Sequence, residues 1–138
     1  MYKKTLTYED FNGKSHTEDL YFNLTKAELT ELQLSHEGGF ADYLQQIVDA
    51  QDIPTLAKVF KEIVLMSYGE KTADGRRFVK RNADGKRISE EFVDSAAYDA
   101  LYTELFTNDK AASEFINSIL PKLDNVPNAS HPALTTNT

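Results

Sequence analysis

The chain has 138 residues, of which 22 are acidic and 15 basic, and it contains neither Cys nor Trp. Its length and ordinary apolar and charged content fit one globular domain with a core of its own. The net charge of −7 argues against a protein that coats nucleic acid, and the lack of Cys excludes disulfides, a thiolate nucleophile and a Cys-ligated metal.

The N-terminus carries no targeting signal. Lys3 and Lys4 are not followed by an apolar run of signal-peptide length. The longest apolar run, residues 63–66, is far shorter than the roughly 20 residues of a membrane span. We therefore expect a soluble intracellular protein that does not contact a membrane.

Residues 2–24 are predicted to form a β-hairpin, with strands at 2–10 and 16–23. Apolar and polar residues alternate in both runs, and this period of two is typical of strands with one buried face. Asn12-Gly13 lies between the runs, and Gly readily adopts the positive φ that a tight hairpin turn needs.

Residues 26–69 are predicted to be helical. Thr25 and Glu28 have the spacing of a capping box, which starts a helix over 26–35, and Gly38-Gly39 follows its end. Two further helices are indicated by apolar stripes at a period of 3.6, the second starting near Asp52-Pro54 and closing at Gly69. The stripes are Phe40, Tyr43, Leu44, Ile47 and Val48, then Leu56, Val59, Phe60, Ile63 and Val64.

Residues 70–87 interrupt the helical pattern and are predicted to form a basic loop. Asp74-Gly75 and Asp84-Gly85 mark two turns, and Phe78-Val79 between them is either a short strand or a single apolar anchor. Helices resume over 88–120: a short one beginning at Ser89, one with Tyr98, Leu101, Tyr102, Leu105 and Phe106, and one with Ala112, Phe115, Ile116, Ile119 and Leu120.

The predicted fold is therefore α+β and mainly α: an N-terminal hairpin followed by a bundle of about five to six amphipathic helices. A single globular domain is expected over residues 1–121. Residues 122–138 contain two Pro and no periodic pattern, so we expect a disordered tail there.

No catalytic, metal or cofactor site is indicated. His16, His36 and His131 have no partner at metal-ligand spacing, the turn Asp residues lack the acidic neighbours of a calcium loop, and the six Gly are scattered. No nucleophile elbow is present. Paired carboxylates leave acid/base catalysis open, but no pattern points to it, and we expect no cofactor.

Basic residues are concentrated in the loop over 70–87. Three interpretations remain open: a solvated loop that balances acidic helices, a contact surface for an acidic partner or a neighbouring copy, and a nucleic-acid site that uses Phe78 for stacking. The acidity of the whole chain counts against the last. The candidate partner-binding residues are Arg76, Arg77, Lys80, Arg81, Lys86 and Arg87.

Aromatic residues are frequent in the hairpin, where Tyr2, Tyr8, Phe11 and Tyr21 occur. A hairpin alone cannot bury both faces. Either these rings occupy amphipathic boundary positions, or some of them form an exposed interaction surface.

Several segments resemble a known family. They lie within residues 2–8, 10–13, 17–28, 63–71, 74–78, 97–105 and 111–117, and the most distinctive are Tyr-Phe-Asn-Leu-Thr-Lys-Ala-Glu at 21–28 and Ser-Tyr-Gly-Glu-Lys at 67–71. In this order they are similar to the tail assembly chaperones of long-tailed, siphovirus-type phages and prophages of Gram-positive bacteria. The resemblance covers roughly residues 2–121.

The resemblance implies a non-enzymatic chaperone that binds the tape measure protein, keeps it soluble and helps to recruit the major tail (tube) protein. It implies action in the host cytoplasm, absence from the mature virion and self-association. Two alternatives from other classes are a structural virion or tail protein and a small regulatory nucleic-acid-binding protein. Tube proteins are usually rich in β-structure, and no helix-turn-helix spacing supports the second alternative.

Overall fold

The computed structural model describes residues 1–120, which contain four β-strands and six α-helices. The chain groups into two compact units: Met1–Asn23 with Lys61–Ile119, and Leu24–Phe60 with Leu120. We call them the sheet unit and the helical unit. The elements are β1 (Tyr2–Glu9), β2 (Ser15–Phe22), α1 (Lys26–Leu34), α2 (Phe40–Asp49), α3 (Ile53–Ser67), β3 (Tyr68–Lys71), β4 (Phe78–Val79), α4 (Ser89–Phe92), α5 (Ala96–Thr107) and α6 (Asp109–Ile119).

The sheet unit is built on an antiparallel sheet with the strand order β1-β2-β3-β4. β1 and β2 pair along their whole lengths, with Tyr2 opposite Phe22 and Glu9 opposite Ser15. β3 pairs with β2 only at Tyr21 and Phe22, and its last two residues pair with β4 instead. The sheet therefore opens on one side of β2.

The alternation along the hairpin separates its two faces. Leu6, Leu20 and Phe22 are buried, whereas Thr5 and Thr7 on the other face are exposed. The exposed face is polar, and its threonines bond across the strands: Thr5 Oγ1 donates to Asp19 Oδ1 (2.7 Å), and Thr7 Oγ1 lies 2.9 Å from Thr17 Oγ1. One face is thus committed to the core and the other to solvent.

An aromatic cluster forms the core of the sheet unit. Phe22 and Phe115 are fully buried and meet edge to face, with ring centroids 5.4 Å apart. Tyr2 packs on Phe115 in the same way, and Tyr68 stacks on Phe92 at 3.8 Å. Edge-to-face rings are an arrangement that aromatic quadrupoles favour, and the nearly parallel Tyr68–Phe92 pair adds apolar contact area. These contacts fix α4 and α6 against the sheet.

The helical unit begins with the predicted capping box. The Thr25 hydroxyl accepts from the Glu28 N–H (3.1 Å), and Glu28 Oε1 accepts from the Thr25 N–H (2.9 Å). α2 starts after Gly39, which has no side chain to cap it, and the buried Gln33 Oε1 accepts from the Phe40 N–H instead (2.8 Å). Asp52 caps the start of α3 by accepting from Thr55.

The N-terminal hairpin and the mixed, helix-rich class are confirmed, but the sheet extends further than predicted. Residues 70–87 are not only a loop, because β3 and β4 lie there and add to the hairpin. Phe78 and Val79 form the short strand that was one of two alternatives. The prediction that the helices are amphipathic holds only in part, because α1 and α5 do not confine their apolar residues to one face.

Side-chain burial follows the predicted stripes in α3 and α6 most closely. Ile63, Val64, Phe115 and Ile119 are buried, whereas Val48 and Phe106, which also belong to predicted apolar stripes, are exposed. The predicted tail at 122–138 lies outside the described residues.

Candidate protein-interaction surfaces

The first turn of the basic segment, residues 71–87, is stabilised by hydrogen bonds. The Thr72 N–H donates to the Arg77 carbonyl (3.0 Å), and Asp74 Oδ1 accepts from the Arg76 N–H (3.0 Å) and the Thr72 hydroxyl (2.7 Å). These hydrogen bonds, the Arg76 N–H foremost, lower the pKa of the Asp74 carboxyl. Arg76 and Arg77 are exposed on a turn whose backbone is already satisfied.

The second turn of the basic segment is organised by Asn82. Its Oδ1 accepts from the N–H groups of Asp84 (2.9 Å) and Lys86 (3.1 Å). An antiparallel bridge brings Arg81 opposite Arg87, and Arg81 Nη1 donates to the Gly85 carbonyl (3.0 Å). This bridge sets the like charges of Arg81 and Arg87 opposite each other at the base of the turn. Arg81 and Lys86 are exposed, and Arg87 is half-buried.

Lys80 has a different role from the other basic residues. Its Nζ donates to the carbonyl of Asn23 (2.8 Å), just after β2, and to that of Met66 (3.0 Å) in the last turn of α3. These partners lie 57 and 14 positions away in sequence, so no local pattern could have indicated them. Among the candidate partner-binding residues, Lys80 therefore places its ammonium inside the sheet unit.

The hairpin tip, residues 9–16, is a second exposed feature. Asp10 Oδ1 accepts from the N–H groups of Asn12 (2.8 Å) and Lys14 (2.9 Å), and its Oδ2 lies 2.6 Å from His16 Nε2. The contact with His16 is the main reason that the pKa of the Asp10 carboxyl is lowered. Phe11, on this hydrogen-bonded turn, is 84% exposed. The sequence showed an aromatic there but not its exposure.

Large apolar side chains are exposed in both units. The sheet unit exposes Phe11 and Phe106, and the helical unit exposes Leu34, Val48 and Ile53 by about half. Apolar contact area that is already in water is what a protein needs to bind another apolar chain.

The described residues offer little for metal or cofactor chemistry. No group of three or more His, Asp or Glu in residues 1–120 is placed to hold a metal ion. His16 contacts Asp10, and His36 stacks on Tyr43 with centroids 4.0 Å apart; His131 lies outside the described residues. In the same part of the chain, no helix has the length and apolar character that crossing a membrane would require.

Exposed charge on fixed turns and exposed apolar side chains are surfaces through which a protein can bind other proteins. The family comparison supplies the class of protein. A model of a phage tail assembly chaperone family matches residues 1–130. The chain belongs to this family. Comparisons with curated proteins and with solved structures gave no match.

Proposed function

We propose that this tail assembly chaperone binds the tape measure protein, keeps it soluble and helps to recruit the tail tube subunits. The family match over residues 1–130 carries the proposal. We further propose that it serves a long-tailed phage of Gram-positive bacteria, acts in the host cytoplasm without catalysing a reaction, and leaves before the virion is complete.

The exposed side chains supply the physical means for this role. A long helical target has apolar stripes that aggregate unless another apolar surface covers them. Phe11, Leu34, Val48 and Ile53 already lie in water, so binding gains apolar burial without unfolding the chaperone. The net charge of −7 keeps such a surface soluble before and after binding.

Co-expression with the tape measure protein of the same phage tests the proposal. We expect the long chain to become soluble only with this protein and to co-purify with it, and the stoichiometry would say whether the chaperone coats or caps its target. An unrelated acidic protein of similar size is the control. If the tape measure protein stays insoluble, the proposed target is wrong. If the chain itself is found in purified virions, a structural tail protein is the better interpretation.

The exposed part of the basic segment is our proposed electrostatic contact, toward an acidic face of the target or of a neighbouring copy. Arg76, Arg77 and Arg81 are exposed and Arg87 is half-buried, so all four can be changed to Glu while Lys80 keeps its internal bonds. We expect the quadruple variant to lose target binding or self-association.

A matched control isolates position from charge. Lys3, Lys26, Lys58 and Lys61 are exposed and lie outside the basic segment. Changing these four to Glu alters the net charge by the same amount. Equal loss of binding in both variants would show that only the overall charge matters, and full binding by the arginine variant would refute the contact.

A further inference from the structure

β2 has an edge without a strand partner. Its other edge is paired with β1 along the whole strand, but β3 pairs only with Tyr21 and Phe22 before it turns to β4. Among residues 1–120, residues 15–20 therefore have no partner on this side. An open groove of about 420 Å³ lies there, lined by residues 18–21 of β2 and 68–71 of β3.

The hydrogen bonds at the two ends of β2 show which residues use this edge. The Asn23 N–H donates to the Ser67 carbonyl (2.8 Å), on the β3 side. The Lys14 carbonyl accepts from the Asp10 N–H (2.8 Å), on the β1 side. Backbone groups point alternately to the two sides of a strand. Ser15, Thr17 and Asp19 consequently present their N–H and C=O groups to the free edge, and all three are exposed.

We infer that this edge pairs with the same edge of a second copy of the chain, in an antiparallel, two-fold symmetric contact centred on Thr17. A two-fold axis that relates antiparallel neighbours in one sheet is perpendicular to the sheet and runs midway between the two strands. One residue of each strand therefore lies directly opposite the same residue of the other copy. At Thr17, whose backbone groups point to the edge, the residue makes both hydrogen bonds with its own copy. With Thr17 opposite Thr17, Ser15 lies opposite Asp19, and every backbone group of the edge finds a partner.

The other centres pair the edge less completely or bring like charges together. A centre at Asp19 places two carboxylates face to face, which destabilises a strand pair, and brings the second copy against the Tyr21–Gly69 pairing of β3. A centre at Ser15 leaves Asp19 unpaired. Centres at His16 or Glu18 give a non-hydrogen-bonded central pair: the first leaves Asp19 opposite the hairpin turn, and the second sets two carboxylates face to face.

The side chains of the chosen register are complementary. His16 of one copy lies opposite Glu18 of the other, and the Ser15 hydroxyl lies opposite the Asp19 carboxylate, so no like charges meet. Edge strands that avoid pairing carry charged side chains, Lys above all, or Pro or a bulge. Residues 15–20 contain neither Lys nor Pro, and their pairing with β1 is continuous. Their two acidic residues, Glu18 and Asp19, face no acid in this register, so the edge can accept a second copy of itself.

Because the chain has no Cys, a single Cys reports this contact directly. In Thr17→Cys the two cysteines of a dimer face each other, with their Cα atoms about 5.5 Å apart. This distance allows a disulfide to form between their sulfurs. We expect mild oxidation to give a covalent dimer of the full chain on a non-reducing gel. The unmodified chain should have twice the monomer mass of 15.6 kDa in solution, measured by light scattering.

Thr7→Cys is the matched control. Thr7 faces Thr17 across the hairpin and shares the same hydroxyl contact (2.9 Å), so both variants lose one interaction. In the proposed dimer the two Thr7 positions are separated by three strand spacings, about 14 Å, and should not cross-link. Cross-linking of both variants alike would indicate random collisions and overturn the proposal.

Charge variants at the centre add a second readout. Thr17→Lys and Thr17→Glu should each be monomeric, because like charges then face each other at the two-fold axis, and a mixture of the two should recover the dimer mass. Amide exchange should be slowed at Ser15, Thr17 and Asp19 in the unmodified chain and fast in Thr17→Lys. A monomeric unmodified chain, or a dimer that survives Thr17→Lys, would refute this interface.

Discussion

Lys80 shows that a residue's charge class does not determine its role. Its carbonyl acceptors are Asn23, just after β2, and Met66, in the last turn of α3. Both carbonyls would lose a charged donor in Lys80→Met. Leaving partly buried carbonyls without a partner costs about 1–3 kcal/mol, whereas surface changes are usually within about 0.5 kcal/mol. We expect urea unfolding to show a lower midpoint for Lys80→Met and no shift for Lys86→Met. Equal midpoints would contradict the structural role.

Gly69 permits close packing between β3 and β4. A Cβ built at this position would lie 2.4 Å from Cε2 of the Phe78 ring. Gly69→Ala must therefore displace the ring, and overpacking of this kind costs about 1–3 kcal/mol. Urea unfolding of the two single variants and the double variant Gly69→Ala/Phe78→Ala measures the coupling. We expect the cost of Gly69→Ala to vanish when Phe78 is also replaced; an unchanged cost would place the strain elsewhere.

At the scale of single elements, the β1–β2 turn depends on one carboxylate. The pKa of Asp10 is lowered from its ordinary value of 3.8 by the contact with His16 and by the N–H groups of Lys14 and Asn12. A group with a lowered folded-state pKa stabilises the fold fully above its unfolded pKa and loses that effect as pH falls through the folded pKa. The turn should thus be weakened at pH well below 3.8.

Unfolding of Asp10→Asn at two pH values tests this sign. We expect the variant to be less stable than the unmodified chain at about pH 7, and this difference to shrink as the pH falls well below 3.8, because the stabilisation by the charged Asp10 is lost there. Glu9→Gln is the control, because the Glu9 side chain is exposed and makes no hydrogen bond within residues 1–120. A stability difference that is the same at both pH values would show that the Asp10 charge does not hold the turn.

Elements with local signals were predicted, and those that depend on distant partners were not. The capping box at Thr25, the Asn12-Gly13 turn and the start of α4 at Ser89 can be read from a few neighbouring residues. β3 cannot be read in this way, because the change from helix to strand after Ser67 involves a distant residue. The Asn23 N–H donates a hydrogen bond to the Ser67 carbonyl. The sequence pattern therefore predicts Tyr68-Gly69 at the end of a helix, although both residues belong to the sheet.

The candidate surfaces divide in the same way. The clustering of basic residues in 71–87 is visible in the sequence, but the internal position of Lys80 depends on residues far along the chain. The free edge of β2 is also invisible to sequence, since its residues have the ordinary alternation of a paired strand. Only the departure of β3 toward β4 shows that residues 15–20 have no second neighbouring strand within the described residues 1–120.

For the whole molecule, the proposed chaperoning depends on having apolar surface in water without aggregation. The six most exposed large apolar side chains of the described part are distributed over both units: Met1, Phe11, Leu34, Val48, Ile53 and Phe106. Single exposed apolar residues are common on soluble proteins, and the net charge of −7 adds repulsion between copies. Phe11 stands out among them because the hydrogen bonds of Asp10 hold its turn in place, so little order is lost when a partner binds.

Phe11→Ser should therefore impair the proposed chaperoning without affecting the fold. The ring is 84% exposed, so its loss should leave the free energy of unfolding within about 0.5 kcal/mol of the unmodified chain. An aromatic anchor buried by a partner is worth about 2 kcal/mol or more, which predicts at least a tenfold weaker complex and less soluble tape measure protein on co-expression. Lys14→Ser, in the same turn, is the matched control and should behave like the unmodified chain. If both variants solubilise the target equally well, Phe11 is not a contact, and the exposed residues of the helical unit become the surface to test.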